Sequence, residues 1–154
     1  VLLEDRLLLE SGKSLDDPYN IGYFINNELS WTRSSTADVD VGLATLAAAS
    51  TQHAKLALRD HLIAKYADIA ALNAQWQTSY ASWTDFLNQR NVTPDAVGAN
   101  HDLLEFDQSY ANQYHGETLH AMRRIAPNHL YLGTRFTGGV RYSAATSRFS
   151  PSRG

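Results

Sequence analysis

Two short apolar runs, Tyr19 to Glu28 and His129 to Phe136, constrain this chain more than anything else in it. In the first, Ile21, Tyr23, Phe24 and Ile25 lie almost side by side instead of alternating with polar residues. That pattern predicts a strand of a parallel sheet, covered on both faces. The stretch between the runs is mainly helical in its periodicity, over 43–87 and 101–126. The order is therefore strand, helices, strand, a crossover that joins parallel neighbours and packs its helices outside the sheet. In such sheets functional groups gather at the C-terminal ends of the strands. Glu28 and Arg135 are the charged residues at those two ends.

The helical stretch divides at recognisable signals. Residues 43 to 87 hold a long helix to Tyr66, with Leu58, Leu62 and Tyr66 stepping by four and Ile63 alongside. Asp68 is a predicted N-cap for a short helix with Ile69, Leu72 and Trp76 on one side, and Ser82 or Thr84 for another through Phe86 and Leu87. Loops are expected at 32–42 and 91–100. The helix over 101–126 has the clearest stripe: Leu103, Phe106, Tyr110 and Tyr114, prolonged by Met122 and Ile125, stopped by Pro127 and read as core. Residues 1–10 suit the tail of a helix closed by Ser11-Gly12, and Leu15 to Pro18 a turn. Residues 137–154 are mostly Gly, Ser, Ala and Arg, with little apolar content and no periodicity, and predict an irregular or disordered tail.

Composition excludes several function classes. The 154 residues suffice for a sizeable core, and 44% are hydrophobic. A net charge of −3 without a basic stripe speaks against a nucleic-acid partner. There is no cysteine, hence no thiolate chemistry or Cys-based zinc site. No apolar run approaches the roughly 20 residues of a membrane span. The start is broken by Glu4, Asp5 and Arg6 and lacks the features of a signal peptide, so the chain reads as a piece of something longer. The six histidines include no pair three or four apart on a helix, and His115 and His120 point to different faces, so no metal site is expected. Trp76, Tyr80 and Trp83 fit either a carbohydrate groove or the packing of a helix–loop junction. No phosphate-binding glycine loop or nucleophile elbow is present, and no cofactor is implied.

The stretch "GYFINNELSW", residues 22–31, ends its apolar run in an amide, a carboxyl group and an indole. A carboxylic acid at the end of a buried strand is partly desolvated, which raises its pKa toward that of a general acid. Glycoside hydrolysis needs two such groups, about 5–5.5 Å apart when configuration is retained. Asn27 can hydrogen-bond a sugar hydroxyl, and Trp31 offers a plate for a sugar ring. The same residues also fit a solvated loop, with Asn27 as a turn former.

The longer stretch "PYNIGYFINNELSW" resembles the acid/base strand of clan A glycoside hydrolases, whose fourth barrel strand ends in Asn-Glu. With "KYADIAALNAQWQTSYASW" and "APNHLYLGTRF" in the same order, it resembles glycoside hydrolase family 50, the β-agarases, and more distantly the family 42 β-galactosidases. The resemblance reaches from about Asp17 to Phe136. It implies an α/β fold that is a fragment of a TIM (β/α)8 barrel over 1–136. It also implies retaining hydrolysis of β-1,4 links in agarose or neoagaro-oligosaccharides, without cofactor or metal. Glu28 would be the acid/base, with Asn27, Trp31 and Arg135 around the substrate. Export of the parent, to the medium or periplasm, is expected because agar is too large to enter a cell. Family members usually carry Asp at the place of Asn26, Gly soon after the Trp where Thr32-Arg33 stand, and Gly at the place of Gln77. A full barrel needs about 250 residues. No segment matches the seventh strand that carries the nucleophilic Glu, so the isolated chain is expected to be inactive. A β-galactosidase fragment and a non-catalytic carbohydrate-binding or structural remnant are the alternatives.

Overall fold

A computed structural model describes residues 2–11, 14–15, 17–27, 40–90 and 97–135. Expectations for Glu28, Trp31, Thr32-Arg33, Phe136 and the tail from 137 onward lie outside the described residues. The elements run α1 (Leu2–Ser11), β1 (Gly22–Tyr23), α2 (Asp40–Leu46), α3 (His53–Tyr66), α4 (Ile69–Trp76), α5 (Trp83–Asn88), α6 (Val97–Ile125) and β2 (Leu130–Tyr131). They form two compact units. One gathers the described residues between Val1 and Ser30 with those between Tyr110 and Val140, and the other those between Trp31 and Ser109. Helix α6 contributes to both. No helix among the described residues is long and apolar enough to cross a membrane.

The helical unit is built on the apolar stripes of α3, α4 and α6. Leu58, Leu62, Leu72, Trp76 and Leu103 are fully buried in one cluster with Phe86 and Phe106. Phe86 sits edge-on to Trp76, Tyr80 and Trp83, at ring-centre distances of 6.2, 5.2 and 6.2 Å. The three aromatics thus belong to the packing of the helix–loop junction. Both expected caps form: the Asp68 carboxylate accepts from Ala71 N at 2.8 Å, and Ser82 Oγ accepts from Asp85 N at 3.1 Å.

The long helix expected up to Tyr66 is interrupted between Leu46 and His53. The cause is Lys55. Its side chain is completely buried, and its Nζ donates to Leu46 O at 2.6 Å, Ala48 O at 3.2 Å and Gln89 O at 2.6 Å. Carbonyls at the end of α2, which have no partner inside that helix, are satisfied by an ammonium instead of by another turn. Burial, with the Arg90 charge beside it, pulls the Lys55 pKa down. Helix α4 ends at Gln77 in the left-handed region, φ 53° and ψ 43°. That is a backbone shape glycine takes without strain.

A second hub is Asp102 on α6, which is 1% exposed. Its carboxylate accepts from Trp76 Nε1 at 2.7 Å, Tyr66 Oη at 2.6 Å and Lys65 Nζ at 2.8 Å. Burial raises its pKa, but these three donors outweigh that and hold it below the usual carboxylate value.

In the other unit β1 and β2 pair in parallel, with Gly22 opposite Leu130 and Tyr23 opposite Tyr131. The hydrogen-bonded ladder outruns the regular strands: Leu130 N to Ile21 O at 3.0 Å, Leu132 N to Tyr23 O at 2.9 Å, Ile25 N to Gly133 O at 2.9 Å and Arg135 N to Asn26 O at 3.4 Å. A Cβ at Gly22 would stand 2.2 Å from Leu130 O, so only glycine permits this approach. Ile25 and Tyr131 are buried, while Ile21, Phe24 and Leu130 are 71%, 55% and 62% exposed. Cover on both faces was the expectation; the described residues cover one.

Candidate active site at the ends of the two strands

The apolar run of β1 ends where the backbone changes hand. Asn26 has φ 68°, in the left-handed region that Asn tolerates better than most side chains. This breaks the strand alternation and leaves Asn26 and Asn27 exposed. Beyond β2, Gly133 has φ 90°, and the chain reaches exposed Arg135. The two ends are joined directly, since Arg135 N donates to Asn26 O. Asn27 and Arg135, two residues expected around the substrate, therefore stand at one edge of the sheet. Asn27 supplies an amide donor and acceptor, and Arg135 a fork of donors.

Beneath this edge lies a neutral polar network supplied by α6. Asn26 Nδ2 donates to the Tyr114 hydroxyl. The Tyr114 carbonyl accepts from Thr118 Oγ1 at 2.8 Å, and its ring meets His115 edge-on at 5.2 Å. His115 is 4% exposed, and its Nδ1 pairs with the Tyr131 hydroxyl at 2.8 Å. Burial pulls the His115 pKa down and pushes the Tyr131 phenol up, so both remain uncharged at neutral pH. Such a network ties α6 to the strand ends through uncharged groups.

Sequence reading missed Tyr114 by assigning Tyr110 and Tyr114 to the core. Tyr110 is 41% exposed and Tyr114 half-buried. The buried stripe of α6 is Leu103, Asp107, Ala111, His115, Thr118 and Met122. It steps by four, four, four, three and four. Scoring the small and polar members Ala111, His115 and Thr118 as inward-facing would have revealed it.

Among the described residues, His101, Asp102 and Glu105 bring ligand atoms within 4.8 Å of one another. The Lys65 ammonium already occupies this group, 2.8 Å from Asp102 and 2.5 Å from Glu105. Burial pulls the Lys65 pKa down, but the two carboxylates push it well above its ordinary value. The arrangement is an ion-pair network, not an open cation site.

Comparison with known proteins gives a consistent set of relatives. No protein-family model matches the chain. β-Agarase B of Vibrio sp. strain JT0107 is 30% identical over 137 residues, which are 85% of this chain and 14% of that protein. β-Agarase A of the same strain is 33% identical over 130 residues, 79% of this chain and 13% of that protein. Among solved structures, an exo-β-agarase superposes with a TM-score of 0.82 at 29% identity, covering 96% of this chain and 22% of that one. The crystal structure of an agarase gives 0.79 at 28% identity, covering 92% and 21%. The chain thus spans about a seventh of the curated relatives it matches.

Proposed function

Because the chain belongs, as a partial sequence, to the glycoside hydrolase family 50 β-agarases, we propose that it contributes the acid/base strand of a (β/α)8 barrel that hydrolyses β-1,4 links of agarose. The observation that carries this reading is the parallel pairing of β1 and β2, which joins Asn26 to Arg135 and puts Asn27 at the same edge. Strand ends are where a barrel collects its catalytic groups.

Glu28, the residue after Asn27, is the acid/base in this proposal. It protonates the glycosidic oxygen as the bond to the anomeric carbon breaks, then takes a proton from the water that releases the glycosyl-enzyme intermediate. Asn27 hydrogen-bonds a sugar hydroxyl, Trp31 stacks on a ring, and Arg135 contacts the substrate at the rim. The nucleophile, a second carboxylate about 5–5.5 Å away, comes from a strand outside this chain. Net retention follows from the double displacement, and so does inactivity of the isolated chain. The substrate is a polymer, so the whole enzyme acts outside the cytoplasm.

The test is Glu28→Gln in the longer protein that contains this chain. Proton donation matters most for poor leaving groups, so the rate on neoagaro-oligosaccharides falls by about 10²–10⁴, and activated aryl glycosides lose much less. An equal loss on both substrate types, or none, rejects the assignment.

A further inference from the structure

We infer that the groove between α1 and the C-terminal half of α6 is a second binding site, separate from the strand ends, for a neutral galactan oligosaccharide. The groove is open to solvent and offers about 420 Å³, within the range of small-molecule sites. Tyr110, Gln113, Tyr114 and Glu117 line it from α6, with Ala121 among the buried lining residues. Tyr110 is 41% exposed on a helix whose neighbouring positions 111 and 115 are buried. Exposed aromatic surface beside amide and carboxylate groups suits a ligand with an apolar C–H face and a border of hydroxyls, which is the chemistry of a pyranose ring.

Charge narrows the ligand further. Arg124 Nε donates to Glu4 Oε1 at 2.6 Å, so the groove's guanidinium is already matched to a carboxylate. Glu117 adds a second acid, which accepts from Gln113 Nε2 at 2.9 Å. The lining carries two carboxylates and one guanidinium, an arrangement that repels sulfate or phosphate and tolerates a neutral sugar. From Tyr110 to Arg124 the wall rises roughly 21 Å along the helix, long enough for several linked rings. Tyr114 connects the groove to the strand ends, since its hydroxyl takes the Asn26 amide. That the sugar is a galactan rests on the agarase reading above; that the groove takes a neutral saccharide does not.

The experiment titrates the chain itself with neoagarotetraose and with a sulfated galactan tetrasaccharide, followed by amide chemical shifts and calorimetry. The expected result is saturable binding of the neutral sugar, with shifts along residues 110–121. Tyr110→Ala weakens it roughly five- to tenfold, and Gln113→Ala weakens it as well. The sulfated sugar binds more weakly. Shifts confined to residues 23–27 and 132–135, lost with Glu28→Gln and indifferent to Tyr110→Ala, would overturn the groove while leaving the agarase reading intact. Absence of binding at millimolar sugar overturns it too, and so does tighter binding of the sulfated sugar.

Discussion

Removing the Asp102 carboxylate should unfold the helical unit more readily than any loss of apolar volume of similar size. Three donors converge on it, and their fates differ in Asp102→Ala. Trp76 is completely buried, so its indole N–H loses its acceptor without gaining water, at about 1–3 kcal/mol. The half-buried Tyr66 hydroxyl loses up to about 1 kcal/mol. Lys65 is a third exposed and keeps Glu105, so it adds little. The space vacated costs about 1 kcal/mol more. The sum, about 2–5 kcal/mol, overlaps the usual cost of breaking a buried charged network from one side.

Urea unfolding followed by tryptophan fluorescence reads this, because Trp76 and Trp83 both lie in this unit. With an m-value of about 2 kcal/mol/M the midpoint falls by roughly 1–2.5 M. Acidity gives an independent check. The folded pKa of Asp102 is depressed below its unfolded value, so its contribution is intact above about pH 4 and is lost as the pH falls through the lowered folded pKa. Asp102→Asn should flatten that acid limb. A midpoint shift below about 0.5 M, with the acid limb unchanged, would refute the hub.

Lys55→Met leaves Leu46, Ala48 and Gln89 carbonyls without their shared donor, and should cost about 2–4 kcal/mol with faster amide exchange across residues 47–52. Gln77→Gly relieves a left-handed backbone and should stabilise by about 0.5–1 kcal/mol, seen as a raised melting temperature; a loss of stability would mean that the Gln77 side chain compensates for its backbone. Asn26→Gly should keep the Arg135 amide protected from exchange. Asn26→Val, which cannot take φ 68° without strain, should expose it and cost about 1–2 kcal/mol.

The features legible in the sequence were those written in local chemistry. Asp68 and Ser82 announce their caps because a short oxygen-bearing side chain before an apolar period has few other uses. The parallel pair follows from a continuous apolar run and a helical crossover. Lys55 hid its role because a lysine in a helical pattern is ordinarily a solvated cation; only the fold brings Leu46, Ala48 and Gln89 carbonyls around it. Tyr110 and Tyr114 misled because apolar size was weighed above the Ala111, His115 and Thr118 spacing that α6 buries. Of the site, Asn27 and Arg135 were visible as strand-end residues. The Tyr114 hydroxyl on Asn26 was not, since a contact across 88 positions leaves no local trace.

Glu28 is proposed as half of a catalytic pair, and one measurement tests that most directly. Neoagaro-oligosaccharide turnover is compared for this chain alone, for the longer protein that supplies the remaining strands, and for that protein carrying Glu28→Gln. The account predicts no turnover by the chain, turnover with net retention by the longer protein, and a fall of about 10²–10⁴ in the variant. Clear turnover by the isolated chain, or an unchanged rate in the variant, would contradict it.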